Sequence, residues 1–173
     1  MPEIKQLGRR RRIGLFLLTA ASVVVIDQAT KLCVRAHLLP GESLPEIGLL
    51  RLIHVQNTGS AFGLFANQGF LLSLIAIVGL IVILLFYHYL PESSILITLA
   101  FGLIFGGAVG NLIDRLRLGY VTDFIDVRLW HDFHWPAFNA ADSAITVGAI
   151  SLACFIFWTL KKESGHTSDE ASS

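Results

Sequence analysis

The sequence predicts an all-α integral membrane protein built as a bundle of four transmembrane helices. Hydrophobic residues make up 54% of the 173 residues and charged residues only 15%, and the mean hydropathy is +0.66. Four apolar runs each have close to the ~20 residues that a helix needs to cross a bilayer: residues 13–34, 70–90, 95–113 and 144–160. They mostly lack the polar faces at helical spacing that helices of soluble proteins show.

The distribution of lysine and arginine predicts the orientation of these helices. Five positive charges precede the first helix and two follow the last: Lys5, Arg9 to Arg12, Lys161 and Lys162. Because lysine and arginine accumulate on the cytoplasmic side of membrane proteins, both termini are expected in the cytoplasm. The longer connections, 37–69 and 114–142, then lie on the outer side of the membrane.

The chain is expected to form one membrane-embedded domain over residues 1–162. Residues 163–173 are short and polar, a composition typical of a disordered tail. The basic start and the apolar run after it also resemble a secretory signal. That run continues past Ala21, which favours a retained first helix.

The first helix carries two opposite charges. Asp27 and Lys31 are four residues apart, so their side chains lie on one helical face and can form an ion pair. The favoured interpretation is a pair at the membrane edge that fixes the outer segment. Direct chemistry by this pair is the alternative.

The first outer connection has the pattern of a small sheet followed by a loop. Residues 44–55 alternate turn formers with β-favouring residues, which predicts short strands on the membrane surface. The stretch from Asn57 to Gly63 is polar and contains Gly59, so it predicts a loop. That loop is either a simple turn or a contact for a substrate backbone, and the residues alone favour neither.

The third helix combines small residues with a polar end. Three glycines recur every four residues and predict close packing against another helix: Gly102, Gly106 and Gly110. Asn111, Asp114 and Arg115 follow on one helical face. Arg115 can either keep Asp114 ionised or reach a substrate carbonyl, and a supporting role is slightly favoured for Asp114.

The second outer connection is rich in aromatic residues, which predicts a segment resting in the membrane interface: Trp130, Phe133 and Trp135. His131 and His134 are three residues apart but lack the glutamate of a zinc-protease motif, so no metal site is predicted. The net charge of zero excludes electrostatic attraction to nucleic acid. Cys33 and Cys154 are expected as buried packing residues rather than as a disulfide.

Acidic residues beside the apolar runs are the functional candidates, because a carboxylate near hydrocarbon is costly. Asp123, Asp126 and Asp132 lie in the second connection, and Asp142 lies where the fourth helix is expected to begin. A helix N-cap explains Asp142 as well as a functional role does. A pair of acids at the mouth of the bundle indicates acid–base chemistry on a substrate that resides in the membrane.

Two other classes of function make different demands on the sequence. A transporter or channel that relays protons would carry polar residues near mid-membrane in several helices, whereas here they gather at the outer ends. A non-catalytic scaffold built on the third helix would tolerate asparagine in place of Asp123 and Asp142.

Five short motifs in fixed order resemble the bacterial lipoprotein signal peptidase (signal peptidase II) family over most of the chain. They are DQATK at 27–31, NTGSAF at 57–62, GNLIDR at 110–115, VTDFI at 121–125 and FNAADS at 138–143. Ser60, where alanine is common, and Thr122, before the aspartate, are small departures that leave the acids untouched.

The resemblance implies an aspartyl endopeptidase of the bacterial plasma (inner) membrane that acts near the outer face. Its substrates would be diacylglyceryl-modified prolipoproteins, cut just before the lipidated cysteine, with membrane lipid as the surroundings and a monomer as a plausible state. The resemblance selects Asp123 over Asp126 as the catalytic partner of Asp142. Other motif residues would line or support the site: Asn57, Gly59, Asn111, Asp114, Arg115 and Asn139, with Asp27 and Lys31 behind them. Such a pair works without a cofactor or metal.

Overall fold

A computed structural model of the protein describes residues 2–59, 68–89, 94–130 and 133–170. Four helices and four strands follow one another: α1 (Pro2–His37), β1 (Ser43–Leu44), β2 (Leu50–Asn57), α2 (Gly69–Tyr89), α3 (Ile95–Leu118), β3 (Val121–Trp130), β4 (Phe133–Phe138) and α4 (Ala140–Glu170). Each helix contains a span long and apolar enough to cross a membrane, which confirms the four predicted helices. Ser60, His131 and Asp132 lie outside the described residues.

The first and last helices are longer than their apolar runs. α1 begins at Pro2, and α4 begins at Ala140 and continues to Glu170. Residues 163–170 are therefore helical, where the sequence indicated disorder. Polar composition does not by itself end a helix, because intrahelical hydrogen bonds satisfy the backbone in water as well as in lipid.

α3 is the central helix of the bundle and packs against α1, α2 and α4. Its glycines allow this close approach: a Cβ on Gly106 would lie 2.6 Å from the carbonyl oxygen of Ala20 and 2.9 Å from Cβ of Val23. A Cβ on Gly110 would lie 2.5 Å from Oδ2 of Asp27. The predicted packing role of these glycines is confirmed.

The outward faces of the helices are apolar, as contact with lipid requires. Large exposed side chains on α2 and α4 include Phe70, Ile75, Ile150 and Phe157. Both cysteines are free and exposed. The expectation that Cys33 and Cys154 are buried was wrong, because an apolar helical position can face lipid as well as the protein core.

The outer connections together form one antiparallel sheet with strand order β1-β2-β3-β4. The strands predicted in the first connection are confirmed, and Val55 of β2 pairs with Asp123 of β3. The second connection forms β3 and β4. A strand can lie in the membrane interface, so the interfacial position indicated by the aromatic residues stays a prediction.

The sheet is attached to the C-terminal end of α1. Val34 and Leu38 of α1 form a buried apolar cluster with Phe124 of β3. α3 ends at Gly119, which has φ of +80° and donates its N–H to the carbonyl of Arg115. This left-handed cap turns the chain directly into β3, so β3 begins beside the ends of α1 and α3.

Candidate active site

Asn139 and Asp142 form a reciprocal cap at the start of α4. Oδ1 of Asn139 accepts from the N–H of Asp142 at 2.9 Å, and Oδ2 of Asp142 accepts from the N–H of Asn139 at 3.2 Å. This is a capping-box arrangement, with Asn139 as the N-cap residue and Asp142 three residues later. The N-cap role considered for Asp142 was therefore wrong, and its Oδ1 is left for another partner.

Asp123 is buried, with 2% of its surface exposed, and two asparagines hold its carboxyl. Its Oδ1 accepts from Nδ2 of Asn139 at 2.7 Å, and its Oδ2 accepts from Nδ2 of Asn57 at 2.9 Å. Oδ1 of Asn57 in turn accepts from the N–H of Gly59 at 2.9 Å. The end of β2 and the N-cap of α4 therefore meet at this acid.

A third asparagine, Asn111 of α3, completes the network. Its Nδ2 donates to Oδ1 of Asp142 at 2.8 Å. Its Oδ1 accepts from Nζ of Lys31 at 2.8 Å and from Nδ2 of Asn139 at 3.1 Å. Each carboxyl oxygen of Asp123 and Asp142 thus accepts an N–H from an asparagine, and Asn139 serves both acids.

Behind this network lies a buried ionic cluster. Nζ of Lys31 is 2.9 Å from Oδ2 of Asp27 and 3.3 Å from Oδ2 of Asp114, and all three side chains are at most 1% exposed. The predicted pair between Asp27 and Lys31 is confirmed, with Asp114 as an additional member. Oδ1 of Asp27 also accepts from the N–H of Ala141 at 3.0 Å, which satisfies a free donor in the first turn of α4.

Asp114 and Arg115 face different surroundings. Asp114 accepts hydrogen bonds from Nε2 of Gln28 at 3.2 Å and from the N–H of Thr122 at 3.0 Å. Arg115 instead lines a cavity. Its charge interacts more strongly with Asp142 and Asp123 than with Asp114. Consecutive helical residues project about 100° apart, so Arg115 faces the cavity while Asp114 faces the buried cluster.

The cavity beside the two acids has a volume of about 870 Å³. Its polar wall contains Asn57, Asn111, Arg115, Asp123 and Asp142. Its apolar wall contains Trp135 and Phe138 of β4 with Ile145 and Val147 of α4. It therefore offers acidic groups and an apolar surface to the same bound molecule.

Burial raises the pKa of the Asp123 carboxyl from its ordinary 3.8 to about 6. This pKa already includes a rise due to the nearby Asp142 and a decrease due to the hydrogen bonds from Asn57 and Asn139 and the charge of Lys31. Two acids in one largely buried site favour a single shared proton, because both cannot ionise cheaply. The pair can then supply a general acid and a general base together.

Asp126 forms an ion pair away from the two acids. Its Oδ2 lies 2.6 Å from Nη2 of Arg51, the residue directly across from it on β2. Within the described ranges, no three histidine, cysteine or acidic side chains are grouped as metal ligands.

One contact near the site, between Arg35 and Thr122, was not predicted from the sequence. Nη1 of Arg35 donates to Oγ1 of Thr122 at 2.8 Å. Arg35 follows Lys31 by four residues, as Lys31 follows Asp27. Because residues four apart share a helical face, that repeat was an available signal for Arg35. Nothing comparable marks Thr122.

Comparisons with known proteins identify the family of this chain. The family model described as Signal peptidase (SPase) II matches residues 19–158. A lipoprotein signal peptidase of Moorella thermoacetica is 45% identical over 156 residues, covering 90% of this chain and 98% of that protein. One of Halothermothrix orenii is 43% identical, covering 81% and 92%.

Solved structures of membrane enzymes share the fold of this chain. A bacterial membrane enzyme determined by the in meso method at 2.3 Å resolution superposes with a TM-score of 0.77 at 35% identity. The match covers 88% of this chain and 92% of that one. With matches over nearly the full length in both sequence and structure, the chain belongs to the signal peptidase II family of membrane peptidases.

Proposed function

We propose that this peptidase removes signal peptides from diacylglyceryl-modified prolipoproteins, with Asp123 and Asp142 as its catalytic acids. The bond hydrolysed is the one that precedes the lipidated cysteine. The observation that carries the proposal is that both carboxyls line one cavity and are bound by the same residue, Asn139. The relatives named as lipoprotein signal peptidases support the substrate class.

The chemistry follows from the shared proton. The ionised acid takes a proton from water, whose oxygen then bonds to the scissile carbonyl carbon. The neutral acid donates a hydrogen bond to the carbonyl oxygen. When the carbon–nitrogen bond breaks, the leaving amine takes up a proton from the pair.

In the resting enzyme, the shared proton resides more often on Asp123 than on Asp142. Burial raises the pKa of Asp123 to about 6. Asp142 lies in the first turn of α4, where the helix dipole favours a negative charge. The two acids titrate as a unit, so this assignment describes the more populated of two arrangements.

Arg115 is the group best placed to bind the substrate backbone. It lines the cavity and is partly exposed. The side-chain amides of Asn57 and Asn111 instead donate to the catalytic carboxyls. These two asparagines therefore position the acids, whereas Arg115 offers its N–H groups to substrate carbonyls.

The apolar wall of the cavity suits a substrate that enters sideways from the bilayer. Peptide bonds in a membrane helix are already hydrogen-bonded, so the bond to be cut must be unwound near the interface. Trp135 and Ile145 line the cavity beside the acids and offer surface to the apolar signal segment and the acyl chains.

The location follows from the direction of α1. Its basic N-terminal end belongs in the cytoplasm, so its other end, beside the sheet and Asp123, lies at the outer face of the inner membrane. With four spanning helices, the end of α4 returns to the cytoplasm.

The proposed function is tested with purified enzyme in detergent and a peptide that carries a diacylglyceryl cysteine. Mass spectrometry of the products is expected to locate one cut, directly before the modified cysteine. The same peptide with an unmodified cysteine is the control and is expected to stay intact. Cleavage at another bond, or equal cleavage of both peptides, would contradict the proposed substrate class.

A further inference from the structure

Thr122 directly precedes Asp123 in β3 and is completely buried. Its three polar groups bind three other elements of the fold. Its N–H donates to Oδ2 of Asp114 at 3.0 Å, and its carbonyl accepts from Nδ2 of Asn139 at 3.5 Å. Its hydroxyl accepts from Nη1 of Arg35 at 2.8 Å.

Arg35 reaches this threonine from the outer end of α1. Its side chain is 19% exposed, and Nη1 also lies 3.6 Å from Oδ1 of Asp114. One guanidinium therefore contacts both the residue before Asp123 and the acid that binds the same residue's N–H. α1 thereby gains a directional contact with the strand that carries a catalytic carboxyl.

α1 and β3 are also joined by apolar packing. Val34 and Leu38 pack against Phe124, and apolar packing holds two elements together without fixing their relative orientation closely. A hydrogen bond depends strongly on distance and angle. The bond from Arg35 to Thr122 is thus suited to fix β3 against sliding or rotation beside α1.

We propose that Arg35 is a positioning residue, whose hydrogen bond to Thr122 fixes the strand that carries Asp123 and so the placement of that acid relative to Asp142. The inference rests on the proposed function, since it assigns those acids to catalysis. A displacement of about 1 Å in a catalytic group can cost on the order of a hundredfold in rate. Arg35 acts on turnover without touching the substrate.

A purely stabilising role for Arg35 is separable from positioning. Arg35 also balances the charge of Asp114, so its removal disturbs the ionic cluster as well as Thr122. Thr122→Val removes only the hydroxyl and leaves every charge in place. Thr122→Ser restores the hydroxyl. Thr98→Val is a matched control, because Thr98 is fully buried and its hydroxyl donates to the carbonyl of Ser94, the N-cap of α3.

The experiment measures kcat and KM for the lipidated peptide, with the folded fraction of each variant fixed by thermal unfolding. Thr122→Val is expected to lower kcat roughly tenfold with KM little changed, and Thr122→Ser is expected to restore it. Thr98→Val is expected to keep the wild-type kcat. In a double variant with Arg35→Ala, the two losses are expected to be less than additive, because both remove one interaction.

The opposite results separate the two levels of the proposal. A wild-type kcat for Thr122→Val, no rescue by Thr122→Ser, or fully additive losses would each overturn the positioning role alone. Absence of cleavage by the wild-type enzyme would overturn the proposed function and the positioning role with it.

Discussion

The side-chain amide of Asn139 donates a 2.7 Å hydrogen bond to Oδ1 of Asp123. Asn139 is also the N-cap of α4 and exchanges hydrogen bonds with Asp142. One capping residue thus links the start of a membrane helix to a strand of the outer sheet. The relative placement of the two acids therefore depends on a helix cap, which is a rigid and local structure.

Asn111→Ala is expected to reduce turnover far more than it reduces stability. The change removes the 2.8 Å hydrogen bond to Asp142 and one partner of Lys31. We expect kcat to fall on the order of a hundredfold through misplacement of the acid, and the unfolding free energy to fall by about 1 to 3 kcal/mol. Kinetics with the lipidated peptide and denaturant unfolding in detergent measure the two effects. A loss of activity equal to the loss of folded protein would contradict a role for Asn111 in the site.

Lys31→Met is expected to be strongly destabilising. It leaves the buried Asp27 and Asp114 without the ammonium that lies 2.9 and 3.3 Å from them. Removing one partner of a buried ion pair costs about 3 to 5 kcal/mol. Lys162→Met is the control, because Lys162 is exposed and lies over the ring of Trp158. Equal unfolding free energies for the two variants would contradict the importance of the buried cluster.

Gly106→Ala is expected to separate α1 from α3. The added Cβ would lie 2.6 Å from the carbonyl oxygen of Ala20, and such overpacking costs about 1 to 3 kcal/mol. Gly79→Ala in α2 is the matched control, because no heavy atom lies within 4 Å of the added Cβ. Alanine favours a helix over glycine by up to about 1 kcal/mol, so this control is expected to be neutral or slightly stabilised. The proposed packing would be contradicted if thermal unfolding did not separate the two variants.

The elevated pKa of Asp123 has a defined effect on stability. The folded protein binds this proton more tightly than the unfolded chain, since the pKa rises from 3.8 to about 6 on burial. The stabilising contribution is complete below about pH 4 and is lost as pH rises through about 6. It amounts to no more than about 3 kcal/mol, at 1.36 kcal/mol per pKa unit.

Asp123→Asn removes the carboxyl that binds this proton. The variant is expected to show a flatter pH dependence of the unfolding free energy between pH 4 and 7. The difference in slope between wild type and variant isolates Asp123 from the other titrating groups. Parallel curves would show that the folded and unfolded chains bind the proton at Asp123 equally well.

Features that depend on residues close together in the sequence were predictable, whereas contacts between distant residues were not. The helices follow from apolar runs, and the pair between Asp27 and Lys31 follows from a spacing of four residues. By contrast, Lys31 meets Asn111 across 80 positions of sequence, and no periodicity reports such a contact. The resemblance to a family supplied the partner of Asp142, since the local pattern did not separate Asp123 from Asp126.

The error at the start of α4 has a physical reason. Asn139 and Asp142 are both good N-cap residues, and in a capping box each binds the backbone of the other. The sequence alone therefore did not show at which of them α4 begins. The strands of the second connection were not predicted, because the pairing of β3 with β2 joins residues far apart in sequence.

The most direct measurement is cleavage of the diacylglyceryl peptide by wild type, Asp123→Asn, Asp142→Asn and Asp126→Asn in detergent. Asp126 pairs with Arg51, so Asp126→Asn is the matched control and is expected to retain cleavage when folded. Asp123→Asn and Asp142→Asn are each expected to fold and to lose at least about 10³-fold in activity. Retained cleavage by either of these two variants would contradict the aspartyl mechanism.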